Sequence, residues 1–187
     1  MSIKYIINDI KTHFNNKPIK VAELGILRGE GIPVFFNHLN IKEYHGVDAF
    51  INYEENKDGS YELMKNQGEI IYTRLNEIYK QENRVHIHKG FTTDIVNKFD
   101  DNYFDLIFID AGHNYPQVSE DIKLWYPKMK TEGIFSGDDY YHPPVQKAVG
   151  EFANKHNLKL YNSNSQNQAA RCYGNDHILY WSWYFKT

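Results

Sequence analysis

Apolar residues recur at helical spacing from the start of the chain. Ile3, Ile6, Ile7, Ile10 and Phe14 share one face of a helix, and Asn15-Asn16-Lys17-Pro18 stops it. Ile19 to Leu24 is a short apolar run of strand type that closes in Glu23-Leu24-Gly25. The glycine-rich stretch Gly25 to Gly31 reads as a turn, and Ile32 to Leu39 as the helix it opens. A second strand spans Tyr44 to Val47 and ends at Asp48. Beyond an irregular polar segment, Phe50 to Ser60, the pattern predicts a helix over Leu63 to Lys80 and a strand over Arg84 to His88 that runs into Gly90. A short helical stretch follows over Asp94 to Phe99, and Phe104 to Ile109, closed by Asp110, has the composition of a fully buried strand. Val118, Ile122, Trp125 and Met129 line one face of the next helix, with Pro116 suited to its first turn. Gly133 to Ser136 is a strand leading into Gly137-Asp138-Asp139, and Pro144 to His156 is a helix. Leu158 to Tyr161 and Ile178 to Phe185 read as the last strands, the second with no helix after it.

Strands that alternate with helices predict an α/β architecture: a doubly wound, mostly parallel sheet covered on both faces. The closing strand pair, lacking an intervening helix, implies an antiparallel C-terminal edge strand. A chain of 187 residues accommodates one domain, with residues 1–17 forming an N-terminal helix and residues 18–187 the core. In such sheets ligands collect outside the carboxyl ends of the strands, near the point where strand order reverses. Glu23, Asp48, Asp110 and the pair Asp138-Asp139 each follow an apolar strand segment, so all are expected on one rim.

Composition narrows the function classes. With 21 Lys and Arg against 24 Asp and Glu, the formal net charge is −3, which leaves no basic excess to neutralise a nucleic-acid backbone. Cys172 is the sole cysteine, which excludes an intrachain disulfide framework and a cysteine-built zinc site. The N-terminus has no signal-type apolar region, and no apolar run approaches membrane-spanning length; a cytoplasmic protein with no membrane partner, monomeric or homo-oligomeric, is expected. Aromatic residues make up 16% of the chain, more than core filling demands of most proteins, yet core filling is still the reading favoured here over a pocket for a ring-shaped ligand.

The chemistry concentrates in two motifs. In Glu23-Leu-Gly25-Ile-Leu-Arg-Gly29-Glu-Gly31 the glycines permit a sharp turn and close backbone approach to a ligand. The spacing departs from the G-x-G-x-x-G of dinucleotide binders, and the acid before the first glycine favours a cationic or amine-bearing ligand. Asp48 stands where a carboxylate accepts ribose hydroxyls. In the second motif Asp110, Asp138 and Asp139 bring three carboxylates to two strand ends, where mutual repulsion raises their pKa values unless a cation neutralises them. Oxygen ligands without thiolate suit Mg²⁺, with Mn²⁺ or Ca²⁺ as substitutes.

These residues resemble those of class I S-adenosylmethionine-dependent methyltransferases. Glu23-Leu-Gly25-x-x-x-Gly29-x-Gly31 is similar to their motif I, and Asp48 to the acid that holds the ribose. Phe108-Ile-Asp110-Ala-Gly-His113-Asn-Tyr115 and Gly133-Ile-Phe-Ser-Gly137-Asp138-Asp139-Tyr140 resemble the metal-dependent sugar O-methyltransferases of the macrocin and mycinamicin type, and more distantly the catechol type. The resemblance implies a Rossmann-like fold and S-adenosylmethionine bound by Glu23, Gly25, Gly29, Gly31, Asp48, Phe91, Thr92 and Asp110. It also implies a divalent ion, Mg²⁺ by preference, on Asp110, Asp138 and Asp139, with His113 as the base that takes the proton of an acceptor hydroxyl on a small molecule or sugar. The chain departs from the family where Gly31 stands in place of a frequent Ser, and where Gly112 stands in place of a frequent Asp, so a carboxylate base at that position is not carried over. A metal-independent methyltransferase, an aminopropyl transferase and a non-catalytic binding protein on the same fold remain as alternatives.

Overall fold

A computed structural model describes residues 3–51, 59–163 and 182–187. The elements run α1 (Ile7–Phe14), β1 (Ile19–Leu24), α2 (Gly31–His38), β2 (Ile41–Asp48), α3 (Gly59–Ile78), β3 (Val85–Lys89), α4 (Thr92–Ile95), β4 (Phe104–Ile109), α5 (Tyr115–Trp125), β5 (Met129–Gly137), α6 (Pro143–His156), β6 (Tyr161–Asn162) and β7 (Trp183–Lys186). All the strands join one sheet in the order β3-β2-β1-β4-β5-β7-β6. The pairs among β1 to β5 are parallel, and β7 is antiparallel to both its neighbours. The antiparallel C-terminal strand is present as expected. It stands one place in from the edge, because the two-residue β6 pairs with its outer side.

Side-chain alternation along the strands builds two cores. Val21, Leu106, Phe108, Ile134 and Tyr184 face the side covered by α1 and α2. Ala22, Leu24, Ile107, Ile109, Phe135, Trp183 and Phe185 face the side covered by α5 and α6. Trp125, Trp183, Tyr44, Phe35, Phe104, Phe108, Phe135 and Phe185 are all fully buried, so the aromatic richness fills these cores. A third, smaller cluster of Ile26, Phe50, Met64, Ile71 and Leu75 seats α3 against the turn after β1.

Two local expectations change. Met129 does not continue the face of α5; that helix ends at Trp125, a 3-10 turn covers Tyr126–Lys128, and Met129 opens β5. Pro127 lacks the amide hydrogen that would bond the Lys123 carbonyl and so ends the helical ladder. Met129 nonetheless packs in the same core as Val118, Ile122 and Trp125, which is why its spacing imitates theirs. The strand expected over Leu158 to Tyr161 is only Tyr161–Asn162, while Leu158 and Leu160 pack against the core from an irregular segment. Residues 52–58 of the polar segment and residues 164–181, which include Cys172 and the start of the expected last strand, lie outside the described residues.

Candidate active site

The carboxyl ends of the strands are held level by one backbone hydrogen bond per neighbouring pair. The Gly90 amide donates to the Asp48 carbonyl (2.9 Å), Gly25 to Val47 (2.8 Å), Asp110 to Leu24 (2.7 Å) and Asp138 to Ile109 (2.8 Å). This places Glu23, Asp48, Asp110 and Asp138-Asp139 along one rim. The reversal of strand order falls between β1 and β4, so the crevice that α/β sheets use for ligands opens beside Gly25 and Asp110. A cleft of about 460 Å³ lies there, within the range of small-molecule sites.

Glu23, Gly25, Gly31, Asp48, Phe91, Thr92, Asp110 and His113 all line this cleft. Gly25 has φ +84°, and a Cβ on it would stand 2.0 Å from the Asp110 carbonyl oxygen, so only glycine lets β1 and β4 meet at the crevice. Gly29 is not among the cleft-lining residues. Its own added Cβ would strike the Leu75 side chain at 2.6 Å, so this glycine lets α3 close over the turn.

Asp48 has a structural task before any ligand arrives. Its Oδ2 accepts the amides of Ile26 (3.1 Å) and Leu27 (2.9 Å), and its Oδ1 the amide of Phe50 (2.8 Å). A carboxylate has about four acceptor sites, so room for a hydroxyl remains while the turn is pinned. Burial pushes its pKa up, against the pull of those three amides. Glu23 is 2% exposed and accepts a hydrogen bond from the Tyr44 hydroxyl. Burial raises its carboxyl to about 8, the Tyr44 bond opposing and Asp48 adding to the rise.

Asp110 joins the cleft to a second, smaller cavity that it shares with Gly112, His113, Asp138, Asp139 and Trp183. Ligand atoms of Asp110, His113 and Asp139 converge within 4.8 Å of one another, and His113 Nε2 stands 2.7 Å from Asp139 Oδ2. Asp138, expected as a ligand with the other two acids, lines this cavity but is not part of the converging group; its Oδ1 accepts the Asp139 amide at 2.6 Å. Asp139 adopts φ +58°, a left-handed conformation that Asp tolerates better than most residues. The Trp183 indole N–H donates to the Asp138 carbonyl at 3.1 Å and supports this loop from below. His142 stacks on His113 with ring centroids 5.6 Å apart. Burial drives the Asp110 carboxyl well above its ordinary range, and Asp138, Asp139 and Glu23 push the same way. Two carboxylates and an imidazole in so small a space fit a divalent cation, with the nitrogen donor widening the choice beyond Mg²⁺ to Mn²⁺ and similar ions.

The sequence reading missed the far wall of the cleft. Gln117 and Asp121, one turn apart on α5, line it together with Thr93 and Glu120. Asp121 is 4% exposed, accepts the Thr92 hydroxyl and is raised by burial to about 6. It falls three residues after Val118 and four before Trp125, on the apolar stripe of α5; an acid on that stripe was the available signal.

Among the described residues no helix is long and apolar enough to cross a membrane. A candidate caffeoyl-CoA O-methyltransferase from Staphylococcus aureus superposes with a TM-score of 0.63 at 15% identity, over 100% of this chain and 83% of that one. The O-methyltransferase NovP gives 0.60 at 16% identity, over 97% and 79%, and spermidine synthase from Thermotoga maritima gives 0.55 at 17%, over 95% and 60%. At these identities the likeness is one of fold. An uncharacterised protein of Acanthamoeba polyphaga mimivirus is 24% identical over 153 residues, which are 79% of this chain and 65% of that protein, so the chain spans less than two thirds of that relative's length. Residues 22–140, from within β1 to the turn after β5, match the model of a methyltransferase domain. With well over half of its length matched, including both motifs on the rim, the chain belongs to the methyltransferase domain family.

Proposed function

We propose that the protein transfers the methyl group of S-adenosylmethionine to a hydroxyl on a small molecule or sugar, with a divalent cation at the acid–histidine cluster. The observation that carries this reading is the position of Asp110. It belongs at once to the nucleotide-sized cleft and to the small cavity of His113 and Asp139, so the donor cleft and the candidate cation site share a wall. Along the cleft, Glu23 is suited to the donor's amino group and Asp48 to its ribose. Bound cation would offset the crowded carboxylates and lower the pKa of the acceptor hydroxyl.

The remaining steps fall to the chain's own side chains. The acceptor oxygen attacks the sulfonium methyl carbon in line, the carbon–sulfur bond breaks with its electron pair going to sulfur, and the hydroxyl proton passes to His113. Asp139, 2.7 Å from His113 Nε2, orients the ring and stabilises the imidazolium. The products are a methyl ether and S-adenosylhomocysteine. Holding the partners in line at a fixed rim supplies much of the acceleration, because methyl transfer tolerates only a narrow attack angle. A second reading, in which His113 is itself a ligand of the cation, is favoured by the convergence of its ring nitrogen with Asp110 and Asp139.

Asp139→Ala tests the assignment. We expect turnover with a screened set of glycosides and catechols to fall by about 100-fold or more, while affinity for S-adenosylhomocysteine stays within about threefold. Equal loss of both would refute the division between donor and acceptor sites, and turnover indifferent to EDTA would favour a metal-independent transferase.

A further inference from the structure

Gln117 lines the cleft but takes part in none of the chemistry above. Its backbone is anchored where α5 begins: Asn114 is the N-cap, and its Oδ1 accepts the Gln117 amide at 3.0 Å. From there the side chain folds over Gly112. A Cβ at position 112 would stand 2.0 Å from Gln117 Oε1 and 2.8 Å from Cδ, so the carboxamide fills the space that any larger residue there would occupy. In that position Oε1 is buried and meets no hydrogen-bond partner among the described residues; the other such atom, Trp125 Nε1, lies deep in the core. A buried amide oxygen without a donor is costly, and here the cost falls on a flexible side chain at the edge of a ligand cleft.

The layout of the cleft indicates the donor that would relieve it. With Glu23 and the glycine turn assigned to the amino-acid arm and Asp48 to the ribose, as proposed above, the lining left for the base of the methyl donor includes Phe91, Thr92, Thr93, Gln117 and Asp121. Adenine presents an exocyclic amine beside a ring nitrogen, and a carboxamide is the side chain whose acceptor and donor match that edge. We infer that Gln117 is the residue that reads the adenine of the methyl donor: its carboxamide is stowed over Gly112 in the free protein and turns into the cleft to accept a hydrogen bond from the exocyclic amine. Gly112 is then the space that allows the stowed position, and Asp121, held by Thr92, is the fixed backstop one turn further along α5. The inference rests on the methyl-donor reading proposed above.

Calorimetry with S-adenosylhomocysteine and with its purine analogue lacking the 6-amino group tests it on the wild type, Gln117→Leu and Gly112→Ala. The wild type should prefer the adenine compound by about tenfold, the worth of one hydrogen bond, and Gln117→Leu should bind both compounds alike, at the wild type's level for the analogue. Gly112→Ala should displace the carboxamide from its stowed position, keep the preference and bind the adenine compound at least as tightly as the wild type. A preference that survives in Gln117→Leu, or is lost in Gly112→Ala, overturns the inference alone. If the wild type binds neither compound, the methyl-donor reading itself fails.

Discussion

Glu23 shows how one buried group ties the cleft to pH. Its carboxyl sits at about 8 because burial disfavours the charge, and a single hydrogen bond from Tyr44 does not restore it. At neutral pH the free protein therefore carries this group mostly protonated, whereas a cationic amino group beside it favours the carboxylate. The sign follows: binding of S-adenosylhomocysteine near pH 7 should release a proton. Affinity should then rise with pH up to about 8 and level off above it, by at most tenfold per unit. Calorimetry in buffers of differing ionisation enthalpy reads the proton directly, and buffer-independent heats at pH 7 would contradict the assignment. Glu23→Gln should weaken binding by about 10- to 100-fold and flatten the pH dependence. Which residues could carry chemistry was visible in the sequence, since acids following apolar runs are a local pattern. That Glu23 is buried against Tyr44, and that Asp48 spends three acceptor sites on backbone amides, depends on neighbours from β2 and the turn and was not.

At the scale of the element, the turn from β1 into α2 works through glycines with different tasks. Gly25 faces rigid backbone: an added Cβ would meet the Asp110 carbonyl at 2.0 Å in a left-handed conformation. Gly29 is left-handed too, at φ +73°, but it faces the methyl groups of Leu75, which can give way. Gly25→Ala is therefore expected to cost about 2–4 kcal/mol and abolish cofactor binding, and Gly29→Ala markedly less; denaturant titration of the two variants side by side decides it. The β2–β3 edge carries a second device. His45 stacks between His86 and His88 at 4.7 and 5.3 Å, against Phe99, Tyr103 and Phe104, and its Nδ1 lies 3.0 Å from His88 Nε2. Burial lowers both His45 and His88 to about 4, aided by neighbouring His86 in each case, by Lys98 at His88, and opposed by Glu43 at His45. Groups depressed in the folded state stabilise it above their unfolded pKa near 6.5 and lose that contribution as pH falls toward 4. Thermal melts should therefore fall steeply between pH 6.5 and 4, and His88→Phe should reduce the slope; a slope unchanged in that variant would assign the acid sensitivity to other groups.

Across the whole molecule, the cavity of Asp110, His113 and Asp139 depends on the end of the chain. β7 inserts antiparallel between β5 and β6, and its Trp183, 1% exposed, lies under Gly137 and donates to the Asp138 carbonyl. That bond links the last strand to the loop that bears Asp139. Trp183→Phe keeps a ring in the core and removes the donor, so it should cost about 1–2 kcal/mol of stability. It should also depress turnover while sparing S-adenosylhomocysteine affinity, since Trp183 touches the small cavity and not the larger cleft. Turnover that tracks cofactor affinity in this variant would argue against separate support for the two halves of the site.

The amino-acid sequence by itself determined the alternation of strands and helices and the row of acids at the strand ends, because side-chain periodicity and turn chemistry are properties of neighbouring residues. Only the tertiary structure decided which of those acids meet. Asp139 rather than Asp138 turns onto His113, Gly29 serves α3 rather than the cleft, and Met129 leaves its helix for a strand, each set by packing partners distant along the chain. The wall formed by Gln117 and Asp121 was settled the same way, when α5 laid one edge of its buried face against the open end of the sheet.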